Sequence, residues 1–139
     1  MTRAFVADAS VAIGWVHPGQ ATPQTTAMLD AIAEGAILDV PALWPLEVAN
    51  ALTMLVRRRK LTEDERQTGL GWLRALRLRV DHEATVLAFS RLSELATEHH
   101  LSVYDAAYLE LAHRRTLALG CKDGALRRAA RQAGVALWE

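Results

Sequence analysis

Short apolar runs alternate with longer segments that carry an apolar stripe at helical spacing along the 139 residues of the chain. Residues 4–8, Ala-Phe-Val-Ala-Asp, form an apolar run that ends on an acid, the pattern of a buried strand. Ser10 is placed to cap a short helix over 11–16, which Pro18-Gly19 breaks. A helical stretch follows over 22–34 and stops at Gly35. Ile37 to Val40 reads as a second strand closed by Pro41, and Pro45 suits the first turn of a helix that runs to about Lys60. Thr62-Glu63-Asp64-Glu65 is a capping box that opens the next helix. Leu76 to Val80 predicts a short strand, 83–99 a long amphipathic helix, and Ser102 the start of a helix to Arg115. A small apolar strand over 117–121, a helix over 124–133 and a last strand at 135–137 complete the pattern. Strands that alternate with helices imply a parallel sheet covered on both faces, and one α/β domain spanning 1–139 accounts for the whole pattern.

Composition narrows the function. Half of the residues are apolar (51%), which predicts a packed core rather than disorder. The lone Cys121 excludes an internal disulfide. There is no apolar run of about 18 residues to span a membrane, and the stretch before the first acid is too short for a signal peptide, so a cytoplasmic protein is expected. The formal net charge is zero, so overall charge does not point to a nucleic-acid binder. All of the cations except Lys60 and Lys122 are arginines. Arg57-Arg58-Arg59-Lys60 and the set Arg127, Arg128 and Arg131 read either as solvated helix ends or as phosphate contacts.

Several chemistries are excluded by what the sequence lacks. It has no glycine-rich phosphate loop, since Gly69 and Gly71 lie inside a helical pattern. The histidines (17, 82, 99, 100 and 113) have no two-histidine zinc spacing, and neither Cys121 nor Ser10 nor Ser102 has an evident catalytic partner. The acids are more informative. Asp8 ends the first strand, Glu47 lies in the first turn of the helix after the second, Asp105 lies in the first turn after Ser102, and Asp123 follows the strand at 117–121. Ligands of open parallel sheets bind beyond the carboxyl ends of the strands, so all four can face one crevice. Taken singly each has a plainer reading as a helix cap, a dipole partner or a turn residue. Together they are harder to explain that way, because Asp105 shares its helical face with Tyr108, Leu109 and Ala112, where an unpaired acid is costly. A close carboxylate pair costs on the order of 4 kcal/mol at an effective dielectric of 20, which protons or divalent cations must relieve. Hard oxygen donors suit Mg²⁺ or Mn²⁺, and such a site can neutralise a phosphodiester and activate water.

These residues resemble a known family. Val6-Ala7-Asp8-Ala9-Ser10, Pro45-Leu46-Glu47-Val48-Ala49-Asn50, Ser102-Val103-Tyr104-Asp105-Ala106-Ala107-Tyr108 and Lys122-Asp123-Gly124-Ala125-Leu126, in this order and spacing, are similar to the motifs of PIN-domain ribonucleases. More narrowly, they resemble the VapC-like toxins of type II toxin–antitoxin pairs. The resemblance implies a three-layer α/β/α PIN-like fold around a parallel sheet of about five strands. It implies an endoribonuclease that hydrolyses RNA to inhibit translation or growth, with Mg²⁺ or Mn²⁺ held by Asp8, Glu47, Asp105 and Asp123. Ser10 is the implied hydroxyl neighbour of Asp8, and Asn50 is placed to orient Glu47. The implied partners are an RNA substrate, a cognate antitoxin and a second copy of the chain in a homodimer. Cys121 stands where the family often has a hydroxyl two residues before the last acid. Trp15 and Trp44 read either as core residues or as the lining of an antitoxin groove beside the acids. The alternatives to a toxin are a catalytically idle PIN-like module that binds RNA or protein, and a housekeeping RNA-processing nuclease.

Overall fold

The computed structural model describes residues 3–138. Strand β1 (Ala4–Ala7) leads into helix α1 (Ala9–Val16), a single 3₁₀ turn (Pro18–Gln20) and α2 (Pro23–Ala33). Strand β2 (Ile37–Pro41) is followed by α3 (Trp44–Arg57) and α4 (Glu63–Arg74), and β3 (Leu78–Asp81) by α5 (Glu83–Leu87). After α6 (Ser93–His99) and α7 (Val103–Arg115) come β4 (Leu119–Gly120) and α8 (Gly124–Gln132). The sheet runs β3-β2-β1-β4 with every pair parallel, Phe5 opposite Leu38, Leu38 opposite Leu78 and Ala7 opposite Gly120. One helical layer is α1 with α2, α3 and α4 packed on it; in the other, α7 lies on β1 and β2 and contacts α6 and α8. Phe5, Val6, Leu38 and Val40 are fully buried between the layers, as expected of strands covered on both faces.

Most boundaries follow from the local chemistry already visible in the chain. Thr22 caps α2 in a reciprocal box with Thr25, and Thr62 caps α4 in the same way with Glu65. Three expectations are corrected. Ser10 does not cap α1: Asp8 occupies the cap position, and the Ser10 hydroxyl, inside the first turn, donates to the Asp8 carboxylate instead. The helix expected over 83–99 is interrupted by a π-helical turn (Ala88–Leu92), where the Ser93 hydroxyl donates to the Ala88 carbonyl five residues back at 2.6 Å. The fifth strand reduces to a single parallel bridge between Leu119 and Leu137, so the sheet has four strands. β4 is only two residues long, and the chain beyond α8 turns inward to bury Val135 and Trp138 rather than extending the ladder.

A buried ionic network fastens α7 to the sheet. Asp39, fully buried in β2, accepts a bidentate pair from Arg79 at 2.7 Å and a further bond from Arg115 at 2.6 Å. Asp81 accepts from Arg114 and Arg115, and Arg114 also binds Glu110 one turn back.

Gly69 lies inside α4, where glycine costs about 1 kcal/mol relative to alanine. The approach of α1 explains it, because a Cβ at this position would lie 2.4 Å from Val16 Cγ1, on a stiff and buried side chain. Gly71, two residues on, has only a distant arginine nitrogen at 3.9 Å. Gly71→Ala is therefore expected to stabilise the protein by roughly 0.5–1 kcal/mol, whereas Gly69→Ala should lose roughly 1–2 kcal/mol after overpacking outweighs helix propensity. Chemical denaturation of the two variants side by side checks the pair of opposite signs.

Candidate active site

The carboxyl ends of the strands bring the four acids into electrostatic contact. Asp8 leaves β1 with extended backbone, its amide bonded to the Gly120 carbonyl of β4, and its side chain is buried. Its carboxyl is pushed up to about 6, chiefly by burial. The Ser10 hydroxyl at 2.6 Å and the Val11 amide oppose the shift, and the charges of Asp105 and Glu47 add to it. Glu47, in the first turn of α3, is also raised by burial; Tyr108 opposes the shift and Asp105 adds to it. Asp105, in the first turn of α7, is raised by burial and then by the charge of Asp123. Asp123 is exposed at the head of α8, where its side chain caps the helix by accepting from the Leu126 amide at 2.9 Å.

The contrast with the other buried acids is the informative feature. Asp39, Asp81 and Glu110 are each held by arginine. Burial raises the Asp81 carboxyl, but Arg114, the Glu83 amide and Arg115 outweigh it and hold the group below the usual range. Burial and then the charges of one another raise the proton affinity of Asp8, Glu47 and Asp105, and the hydroxyls beside them offset this only in part. A set of four carboxylates matches the preference of Mg²⁺ or Mn²⁺ for oxygen. Among the described residues no three His, Cys, Asp or Glu side chains already stand within ligating reach of one ion. An open arrangement suits Mg²⁺, which keeps several waters and takes only one or two carboxylates directly.

Tyr108 is the site residue that sequence reasoning did not assign a role. Its hydroxyl donates to Glu47 Oε1 at 2.5 Å, linking α7 to α3, and its own proton is held far more tightly than usual by burial and by this bond. The signal was its place one turn after Asp105, on the same face. Asn50 is exposed, and the hydrogen bond described on the Glu47 carboxylate comes from Tyr108. Cys121 is buried beside the acids, and burial with the charge of Asp8 pushes its thiol up to about 12, so it is a neutral neighbour of the site.

The two tryptophans do not form a groove beside the acids. Trp44 is a core residue. The Trp15 indole donates to the Thr25 carbonyl at 2.6 Å and lines a groove of about 500 Å³ with Leu29, Trp72, Leu73 and Leu76. Its walls include Ala33, at the end of α2, and Arg77, just before β3, residues that lead into the amino ends of β2 and β3. That is the opposite end of the sheet from the carboxylates. No helix among the described residues is long and apolar enough to cross a membrane.

No family model and no curated protein matches the sequence. Solved structures do match. VapBC2 from Rickettsia felis, bound to a DNA fragment from their promoter, aligns with a TM-score of 0.67 at 12% identity over 98% of this chain and 99% of the other. FitAcB from Neisseria gonorrhoeae aligns with a TM-score of 0.61 at 16% identity, covering 97% of this chain and 96% of its own. PAE2754 from Pyrobaculum aerophilum gives 0.61 at 19% identity over 92% and 84% of the two chains. At these identities the likeness is one of fold: the chain has the three-layer α/β/α PIN-like architecture that its motifs led one to expect.

Proposed function

We propose that this protein is a metal-dependent endoribonuclease, the toxin of a toxin–antitoxin pair, acting in the cytoplasm. One observation carries the reading: Asp39, Asp81 and Glu110 are held by arginine, whereas among the described residues the groups that act on Asp8, Glu47 and Asp105 are hydroxyls, an amide and other acids, with Asp123 beside Asp105. Leaving acids unpaired in a half-buried crevice is destabilising, and the four occupy the positions that the PIN-domain resemblance assigns to catalysis. The shared fold with VapBC2 and FitAcB supports the toxin reading, because the motifs resemble VapC-like toxins in particular.

In this reading Asp8, Asp105, Asp123 and Glu47 hold Mg²⁺ or Mn²⁺, with Asp8 and Asp105 the principal ligands. The bound ion supplies Lewis-acid activation of water and neutralises charge on the phosphodiester. The Ser10 hydroxyl fixes the Asp8 carboxylate, and Tyr108 fixes Glu47. Carboxylate oxygens outside the ion's direct ligands orient water or take up its proton. Lys122 and nearby arginines hold flanking phosphates. A cognate antitoxin keeps the free enzyme inactive, and the chain pairs with a second copy as a homodimer.

The test is direct. Purified protein stripped with EDTA should leave RNA intact, and readdition of Mg²⁺ or Mn²⁺ should restore cutting. Undiminished cleavage in EDTA, lost only with a zinc-specific chelator, would overturn the assignment. Inhibition by the product of an adjacent short gene, together with the mass in solution, tests the antitoxin and the dimer separately from the chemistry.

A further inference from the structure

We propose that Tyr104 is a stacking platform for an unpaired base next to the scissile phosphate. This rests on the nuclease reading above and adds a contact to a base, where that reading names only contacts to phosphates. Tyr104 is 64% exposed and immediately precedes Asp105; Leu46 is 74% exposed and immediately precedes Glu47. Most other large apolar side chains near the carboxylates are buried, including Trp44, Tyr108 and Cys121. The two exposed residues lie in the first turns of α7 and α3, the two helices that the Tyr108–Glu47 hydrogen bond joins. Tyr104 and Tyr108 are four residues apart and share one helical face. The phenol ring of Tyr104 therefore stands one turn outward from the Tyr108–Glu47 bond, at the solvent end of the site.

Charge explains why a neutral ring is useful at this place. Four carboxylates repel the phosphates of an approaching strand wherever the bound ion does not neutralise them, so contacts to the backbone supply less of the affinity beside the cut. A base carries no charge and has a π-face, and aromatic stacking holds it without regard to sequence. A base inside a duplex has both faces occupied and cannot use the ring.

The experiment uses the full-length protein with Mn²⁺ and an RNA oligonucleotide that carries one 2-aminopurine, whose fluorescence is quenched by stacking. The wild type should quench the single-stranded probe, and Tyr104→Ala should abolish the quenching while raising KM by roughly 5- to 150-fold, the range expected for one stacked base, with kcat within about threefold. Tyr104→Trp should restore both. Because Tyr104 is exposed, Tyr104→Ala should retain the wild-type melting temperature, which excludes misfolding. If the wild type cuts RNA and Tyr104→Ala cuts with unchanged KM and quenching, the platform is overturned, the nuclease reading stands, and the exposed ring belongs to a protein contact. If the wild type quenches the probe but cuts nothing, the nuclease reading fails and takes with it the scissile phosphate beside the platform; quenching that Tyr104→Ala abolishes would then mark the ring as an RNA-binding contact only. Equal cleavage of duplex and single strand also overturns the platform.

Discussion

Asp8→Asn is expected to end RNA cleavage and, without divalent cation, to make the protein more stable at alkaline pH than the wild type. The two effects share one cause. Burial first, and then the charges of Asp105 and Glu47, push the Asp8 carboxyl up from 3.8 to about 6. The folded protein therefore binds this proton more tightly than the unfolded chain. The resulting stabilisation is fully present below about pH 4 and is lost as pH rises through about 6. At pH 8 the ionised carboxylate costs the native state on the order of 2–3 kcal/mol. Asparagine keeps the shape and still accepts from Ser10, but it removes the charge. The variant should melt roughly 5–10 °C higher than metal-free wild type at pH 8 and close to it at pH 4. Mg²⁺ should raise the melting temperature of the wild type and leave that of Asp8→Asn nearly unmoved. Thermal denaturation at the two pH values, with and without Mg²⁺, alongside an RNA cleavage assay, checks every part. A folded variant that cuts at the wild-type rate, or that melts below the wild type at pH 8, would contradict the assignment of Asp8.

The second large effect has the opposite sign. Asp39→Asn should destabilise the protein by about 3 kcal/mol, a fall in melting temperature of roughly 10 °C. Asp39 is fully buried and receives three charge-assisted bonds from Arg79 and Arg115. An amide offers one acceptor in place of two and turns an N–H donor toward the guanidinium groups. Arg79 and Arg115 are partly exposed, at 49% and 28% of their side chains, so water recovers part of the loss and the cost stays near the lower end for a broken buried pair. Urea denaturation measures it. Below the melting temperature the variant should retain cleavage, because no member of this network belongs to the carboxylate cluster. Thus one buried aspartate is expected to stabilise the fold and another to strain it, and what separates them is whether arginine is in reach.

Much of this was legible in the chain because it depends on neighbours in sequence. The capping box at Thr62, the cap at Ser102 and the apolar runs of β1 and β2 are local, so the elements they start or form lie where the pattern places them. Alternation of strand and helix was enough to imply a parallel sheet, and the position of each acid just beyond a strand or in a first helical turn was enough to suggest a common crevice. Where sequence reasoning failed, distant contacts decided. Ser10 has the chemistry of a cap, yet Asp8 took that position and turned the hydroxyl to a different use. The amphipathic stretch over 83–99 shows no breaker, yet it contains a π turn. An apolar triplet at 135–137 has the pattern of a strand but pairs at one residue only.

The sequence by itself determined the alternation of strands and helices and singled out the four acids as candidates, since both rest on residue type and spacing along one chain. Only the tertiary structure decided which acids are paired. Asp8 and Asp39 are both aspartates of the two inner strands and their ends, and nothing in their local sequence separates them. The packing of α7 brings Arg115 onto Asp39 and the strand register sets Arg79 opposite it, while the same helix presents Asp105 and Tyr108 to the crevice of Asp8 and Glu47. A carboxylate's role here depends on charges that lie 39 to 97 positions away along the chain, and those distances close only when the layers pack.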